Sequence, residues 1–422
     1  MVKKVFILLL VCVSLFGSIL TKGEDTGTGI FSSTFRSLKT GLTDNFMSVP
    51  IIRLGSGDRL QISFDEIAED NRYLSARLLH CNADWQPSSL VESEYLDRFN
   101  TFDIEDFAYS SNTFIHYVNY LLEIPNENLT PLVSGNYLLQ VYDRDEPSEV
   151  ILQTRFRVVE PLVAVNATVS TRTDKGANDK WQQLALAVDG ESIDLGNPYQ
   201  DLKVEVMQNN RESTSRFLTS PLRIDGSKVV YEHLPELLFP ASNEYRRFES
   251  TSTRFPGMRV DSTKYSGNNY HTWVYTDYPR DDRNYEYDRT QHGRFLIKEY
   301  NASDSNIGAD YITVHFFLDA PEYIGREVYI DGEFTHGNFD RSNRLTYNGA
   351  KGGYELEIPL KQGAYNYQYV VKRNGENGVE STSVIEGDKY ETENEYNIYV
   401  YLRKPGERYD RLIGYTTVYS NN

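Results

Sequence analysis

The sequence predicts an all-β chain, arranged as three consecutive β-sandwich modules behind a cleaved signal peptide. Aromatic residues make up 13% of 422 positions, with 32 Tyr and 20 Phe against 3 Trp. Tyrosine at this level suits strands, where an amphipathic ring packs on a half-wet pleated face. Apolar and polar residues alternate with period two in segment after segment, and no apolar stripe of 3.6-residue period is sustained anywhere. Clusters of Pro, Asn, Gly and Asp separate the alternating runs, as turns between strands require. Single cores stop growing at roughly 250–300 residues, so a chain of this length divides into several.

Residues 1–22 read as the signal peptide. Lys3 and Lys4 precede an apolar run over 5–16, followed by the small residues Gly17 and Ser18. That run is shorter than the ~20 residues a spanning helix needs. Cys12 follows Val11 inside the apolar run, which is no setting for lipidation. No other stretch approaches spanning length, so the mature chain is expected to be soluble. The net charge of −18 argues against nucleic acid or an anionic membrane surface as ligand, because both reward clustered Lys and Arg. Cys12 and Cys81 are the two cysteines, leaving one in the mature chain and no internal disulfide.

Residues 23–48 are rich in Ser, Thr and Gly and read as a linker or arm. A first module over 49–160 begins with strands at 59–64 and 73–80. An acidic, aromatic loop with a helical turn is expected at 90–107, then strands at 113–124, 135–142 and 150–159. This spacing suits an immunoglobulin-like sandwich. Glu160-Pro161 marks a boundary. A middle module over 161–304 has strands at 164–170, 183–188, 202–208 and 229–231. Residues 278–293, dense in Tyr, Asp and Arg, read as a long exposed hairpin or loop. The polar run at 301–306 separates a third module over 305–422, with strands at 311–318, 327–330, 353–358, 364–371 and 395–401. Asp331-Gly332, Asn348-Gly349 and Asn374-Gly375 are turn signals between or beside these strands.

Signatures of catalysis and metal binding are missing from the sequence. It contains no Gly-x-Ser-x-Gly, His-Glu-x-x-His, P-loop or dinucleotide fingerprint. Asp25-Thr26-Gly27 spells an aspartic-protease triplet, but it abuts the signal and lacks the second triplet that such chemistry needs. His80 and Cys81 are neighbours on a strand and point to opposite faces, so the imidazole cannot activate the thiol. Cys81 is expected to be buried and inert. The seven histidines are scattered, and no two share a strand or helix at a metal-site spacing. No catalytic residue, cofactor or metal is expected.

In the third module, residues 328–336, 345–347 and 360–370 resemble the early-set, glycogen-binding type of immunoglobulin-like domain. Sugar-binding members of that group stack pyranose rings on exposed Trp. This chain has Gly337, Asn338 and Phe339 in that region. Tyr365, Tyr367 and Tyr369 share one face of a strand and are expected to pack rather than to form a docking platform. A carbohydrate-binding protein using Phe339 or Tyr347 is the alternative reading of this module.

A more specific pattern begins at His80-Cys81-Asn82-Ala83-Asp84-Trp85-Gln86-Pro87-Ser88. Glu94-Tyr95-Leu96, Ser110-Ser111-Asn112-Thr113, His116-Tyr117, Pro125-Asn126 and Ser134-Gly135-Asn136-Tyr137 follow. This order and spacing resembles the first domain of the type IX secretion system plug protein family. Asn243-Glu244-Tyr245-Arg246-Arg247-Phe248 and Gln291-His292-Gly293-Arg294-Phe295 resemble that family's middle region, and the Tyr-rich run after Leu360 its last. The resemblance covers about residues 50–405. It implies a non-enzymatic periplasmic protein of a Gram-negative bacterium. Such a protein binds the periplasmic opening of a large outer-membrane β-barrel translocon and plugs it when no cargo is in transit. Trp85 reads as a fold anchor. Exposed aromatics and Arg are the usual anchors of wide protein faces, so Tyr285, Tyr287 and Arg289 are the expected partner contacts.

Overall fold

The computed structural model describes residues 26–373 and 380–420. The expected signal peptide, Asp25 and the turn expected at Asn374-Gly375 lie outside the described residues. The fold is all-β and built of β-sandwich modules. Its α-helices, Glu92–Tyr95, Pro198–Asp201 and Ser305–Gly308, are single turns. No helix among the described residues is long and apolar enough to cross a membrane.

The first core lies between two sheets. One runs Gly29–Ile30, Val150–Val159, Gly135–Asp143, Leu74–Cys81, Phe102–Asp103, with Ile51–Arg53 parallel to Val150–Val159. The other runs Phe35–Leu42, Leu60–Glu66, Val118–Ile124, Phe107–Tyr109. Period-two alternation sends Leu60, Ile62 and Phe64 inward, where Phe64 stacks on Tyr120 at 5.4 Å. Residues 23–48, expected as a linker, contain two of these strands. Phe35 and Leu38 are fully buried. The alternation fails there because Ser37 takes a positive φ of 56° and the pairing register shifts between Arg36 and Lys39, a β-bulge.

The third core is inserted in the chain between two parts of the second. The second packs Ala164–Ser170, Trp181–Asp189, Lys228–Tyr231 and Arg223–Asp225 against Arg216–Phe217, Leu202–Gln208, Glu395–Leu402 and Arg411–Tyr419. The third lies between two further sheets. One has Gly363–Arg373 paired with Arg246–Ser250, Phe295–Ile297 and Arg326–Asp331. The other runs Val260–Ser266, Asn269–Val274, Tyr311–Leu318, Gly353–Lys361, Thr346–Asn348. The boundary expected at 304 therefore falls inside the third core, and the strand expected at 395–401 completes the second. Glu395–Leu402 is buried along its whole length and paired on both edges. Its alternation marks a strand, but its partner Leu202–Gln208, nearly 200 residues away, leaves no local trace.

Candidate functional site

Segment 278–293 carries no strand and runs as a loop tied to the third core. Arg280 Nε donates to Glu386 Oε2 at 2.9 Å, and Arg247 forks onto the Asp288 carboxylate. The Tyr285 hydroxyl donates to Glu244 Oε1 at 2.8 Å. Burial, then the Glu244 carboxylate, pushes the Tyr285 phenol up. Of the three expected contact residues, Tyr285 is thus turned toward the body. Tyr287 is 64% exposed, and Arg289 is exposed beside it. The loop is a ledge tied to the body that presents Tyr287 and Arg289, with Tyr278 and Arg283, to solvent.

Beneath the ledge lies a cluster the sequence did not single out. Arg246 reaches Glu386 at 3.0 Å and Asp277 at 2.8 Å, all three side chains being buried. Tyr367 and Tyr369 donate their hydroxyls to Asp277 Oδ2 at 2.7 and 2.9 Å. Burial works against the charged Glu386, yet Arg246 and Arg280 outweigh it and hold its carboxyl down to about 2. Tyr365 lies between Phe248 and Phe295 at 5.2 and 5.4 Å, nearly parallel to both. All three tyrosines are packed inside rather than forming a platform. Phe339 packs against Tyr329 at 5.5 Å and Tyr347 against Tyr354 at 5.1 Å.

Buried ionic contacts join the three cores. Between the first and third, Asp65 accepts from Lys361 Nζ at 2.7 Å, the Tyr311 hydroxyl at 2.6 Å and Asn119 Nδ2 at 2.7 Å. Lys39 meets Glu333 at 3.0 Å and donates to the Phe295 carbonyl. Between the first and second, Arg157 donates to Glu205 at 3.0 Å and to the Tyr401 hydroxyl at 3.1 Å. The same guanidinium lies 3.8 Å from the Tyr399 ring and 4.9 Å from that of Trp85, which is buried. Between the second and third, Arg294 forks onto Glu395 at 2.8 and 3.0 Å, and Arg211 meets Asp331 at 2.8 Å.

The seams of Lys39, Arg157, Arg211 and Arg294 converge on a cavity of about 130 Å³, lined by residues of all three cores, Glu333 among them. Each of these cations has its carboxylate, so the field inside is balanced. The cavity is a polar joint between modules and offers no unmatched charge to an anion or cation.

Other residues weighed in the sequence serve the fold. Burial pushes the Cys81 thiol up to about 12, so it does not ionise near neutrality. His80 Nε2–H donates to the Ser134 carbonyl at 3.2 Å, leaving Nδ1 to accept from the Ser88 hydroxyl at 2.8 Å. Thr26, from the Asp-Thr-Gly triplet, is buried and accepts from Arg155 at 2.7 and 3.0 Å. Among the described residues, no three or more His, Cys, Asp or Glu side chains form a group that could hold a metal ion.

The family model described as Type 9 secretion system plug protein 1st domain matches residues 35–160. A crystal structure of a hypothetical protein from Parabacteroides merdae ATCC 43184 is similar throughout. It is 38% identical, with a TM-score of 0.91, and the match covers 93% of this chain and 99% of that one. A match to Pseudomonas fluorescens alkylpurine DNA glycosylase AlkC is 10% identical and covers 30% of each chain. Its TM-score of 0.19 carries no argument. No curated protein matches this chain in sequence.

Proposed function

The chain belongs to the type IX secretion system plug protein family, and from that premise we propose that it plugs the translocon of that system. On this reading it is a non-enzymatic periplasmic protein. It binds the periplasmic opening of a large outer-membrane β-barrel and keeps it closed when no cargo is in transit.

The observation that carries the reading is the set of buried ionic seams binding three sandwiches into one block. A plug acts by occupying space and must not deform under a wide pore. Short, buried Arg–carboxylate and Lys–carboxylate contacts between modules hold their relative orientation, because shifting one module leaves charges unpaired in a poorly solvated setting. A block of this size presents a broad face rather than a pocket, and durable assemblies bury on the order of 2,000 Å² or more. Tyr287 and Arg289 on the fixed ledge are our contact residues. Tyr285 supports them through Glu244. The carbohydrate alternative has less support, since Phe339 and Tyr347 are engaged with neighbouring rings.

Affinity purification of the tagged chain from gently solubilised envelopes tests the role. Co-recovery of a very large outer-membrane barrel is the expected result, and its consistent absence removes the plug assignment. Changing Tyr287 and Arg289 together to Ala is expected to lower that recovery without altering the melting temperature. Full recovery from the double variant would exclude the ledge as a contact and leave the role itself to the first experiment.

A further inference from the structure

We propose that His271 and His315 form a two-nitrogen site for a divalent transition-metal ion of the copper–nickel–zinc class. The site lies on the outer face of the third core's five-stranded sheet. This inference is independent of the role in secretion.

The convergence is a product of strand pairing. Asn269–Val274 and Tyr311–Leu318 run parallel, with Trp273 opposite His315 and His271 opposite Thr313. Thr272 and Val274 on one strand, and Ile312, Val314 and Phe316 on the other, are buried. The pleat therefore turns His271, Trp273 and His315 to the other face. There His271 Nδ1 and His315 Nε2 stand 2.8 Å apart. Two imidazole nitrogens, each ~2.0–2.1 Å from one ion and at right angles about it, stand roughly 2.9 Å apart. That is the spacing of adjacent positions in the tetragonal geometry favoured by Cu(II) and Ni(II).

Two neighbours hold the site. Glu357 faces His315 across the antiparallel pair and accepts from its Nδ1 at 3.2 Å. This fixes the tautomer that leaves Nε2 as the lone-pair nitrogen, the arrangement in which a carboxylate supports a ligating histidine. Trp273 stacks on the His315 ring at 4.4 Å with a 10° interplanar angle, so the imidazole cannot rotate away. In the absence of a metal the two nitrogens share a proton, His271 Nδ1–H donating to His315 Nε2. A metal ion replaces that proton, which leaves to solvent. Nearby charges are mixed. Lys264 pairs in register with His271 and reaches over Trp273, while Glu357 is largely exposed beside the pair. Among the described residues no third protein ligand is placed there, so water completes the coordination.

Trp273 is the reporter. Titrating the purified, untagged chain with copper(II) sulfate is expected to give saturable quenching at one equivalent. The paramagnetic resonance spectrum of the loaded chain is expected to show coupling to two imidazole nitrogens. His271→Gln and His315→Gln should each weaken binding by about tenfold or more, and Glu357→Gln by a similar or smaller factor. Trp273→Phe should lose the quench. Equal affinity and quenching in both histidine variants would overturn the proposal. So would a resonance spectrum with one coupled nitrogen or none, and that measurement needs no variant to fold.

Discussion

Buried charges in this molecule are paired across modules, and the pairing decides what each one contributes. Asp65 and Lys361 have side chains 1% and 2% exposed and meet at 2.7 Å. Burial lowers the Lys361 ammonium despite the Asp65 carboxylate beside it. Such a pair gives little net stability over an apolar one, but removing one partner strands the other. Lys361→Met should therefore cost about 3–5 kcal/mol in denaturant unfolding, and adding Asp65→Asn should recover part of it. A loss under 1 kcal/mol would mean that Tyr311 and Asn119 alone satisfy Asp65. Buried titrating groups, His80, His336 and Glu386 among them, give the pH dependence. Burial pushes His80 down to about 4 from 6.5, so between those values the unfolded chain binds the extra proton. Its contribution is complete above 6.5 and falls away as pH drops toward 4. Glu386, held at about 2 against an ordinary 4.5, adds stability that is lost below that range, as pH falls from 4.5 toward 2. Unfolding midpoints measured across the 6.5-to-4 window should decline in the parent chain and decline less steeply in His80→Asn, where His336, also pushed down to about 4 by burial, still titrates.

At the level of elements, strand existence was legible and strand partnership was not. Alternation identified Leu60–Glu66, Leu74–Cys81, Tyr311–Leu318 and Gly363–Arg373, because each has one face in a core. Phe35–Leu42 escaped it through the bulge at Ser37. The proposed contact residues were legible only as a loop of suitable composition, since the Tyr285–Glu244 bond joins positions 41 residues apart. His271 and His315, 44 residues apart on different strands, gave no spacing to read. The quoted Gln291–Phe295 motif acquires its meaning from tertiary structure. Gly293 sits at φ +90°, where an added Cβ would lie 2.9 Å from the Tyr245 ring, and Arg294 bonds Glu395. Gly293→Ala should therefore destabilise by about 1 kcal/mol or more, through strain at positive φ and contact with the ring. Hydrogen exchange offers a separate test of the elements. Amides of Glu395–Leu402 and Gly363–Arg373 should exchange only by global unfolding, while those of the edge strand Val260–Ser266 exchange by local opening.

For the whole molecule, insertion of the third core into the second and the ionic seams make independent folding of the modules unfavourable. The chain leaves the second core after Leu238–Pro240, builds the third, and returns at Glu395 to supply an interior strand of the second. The second core therefore cannot be cut out as one continuous segment, while the third is a continuous insertion held at both ends by the second. The first is continuous, yet its surface carries Lys39, Asp65 and Arg157, whose partners Glu333, Lys361 and Glu205 lie in the other two. Separating it hydrates these charges but also exposes the apolar surfaces around them, including Tyr401 and Leu412 packed on Ile51 and Val159. We expect the intact chain to melt in one transition, with the calorimetric enthalpy matching the van't Hoff enthalpy. A segment spanning residues 35–160 should melt well below the whole chain, if it folds at all. Three resolved transitions, or a fragment as stable as the parent, would mean that the seams do not couple the modules. The rigidity on which a space-filling role depends would then have to come from the translocon.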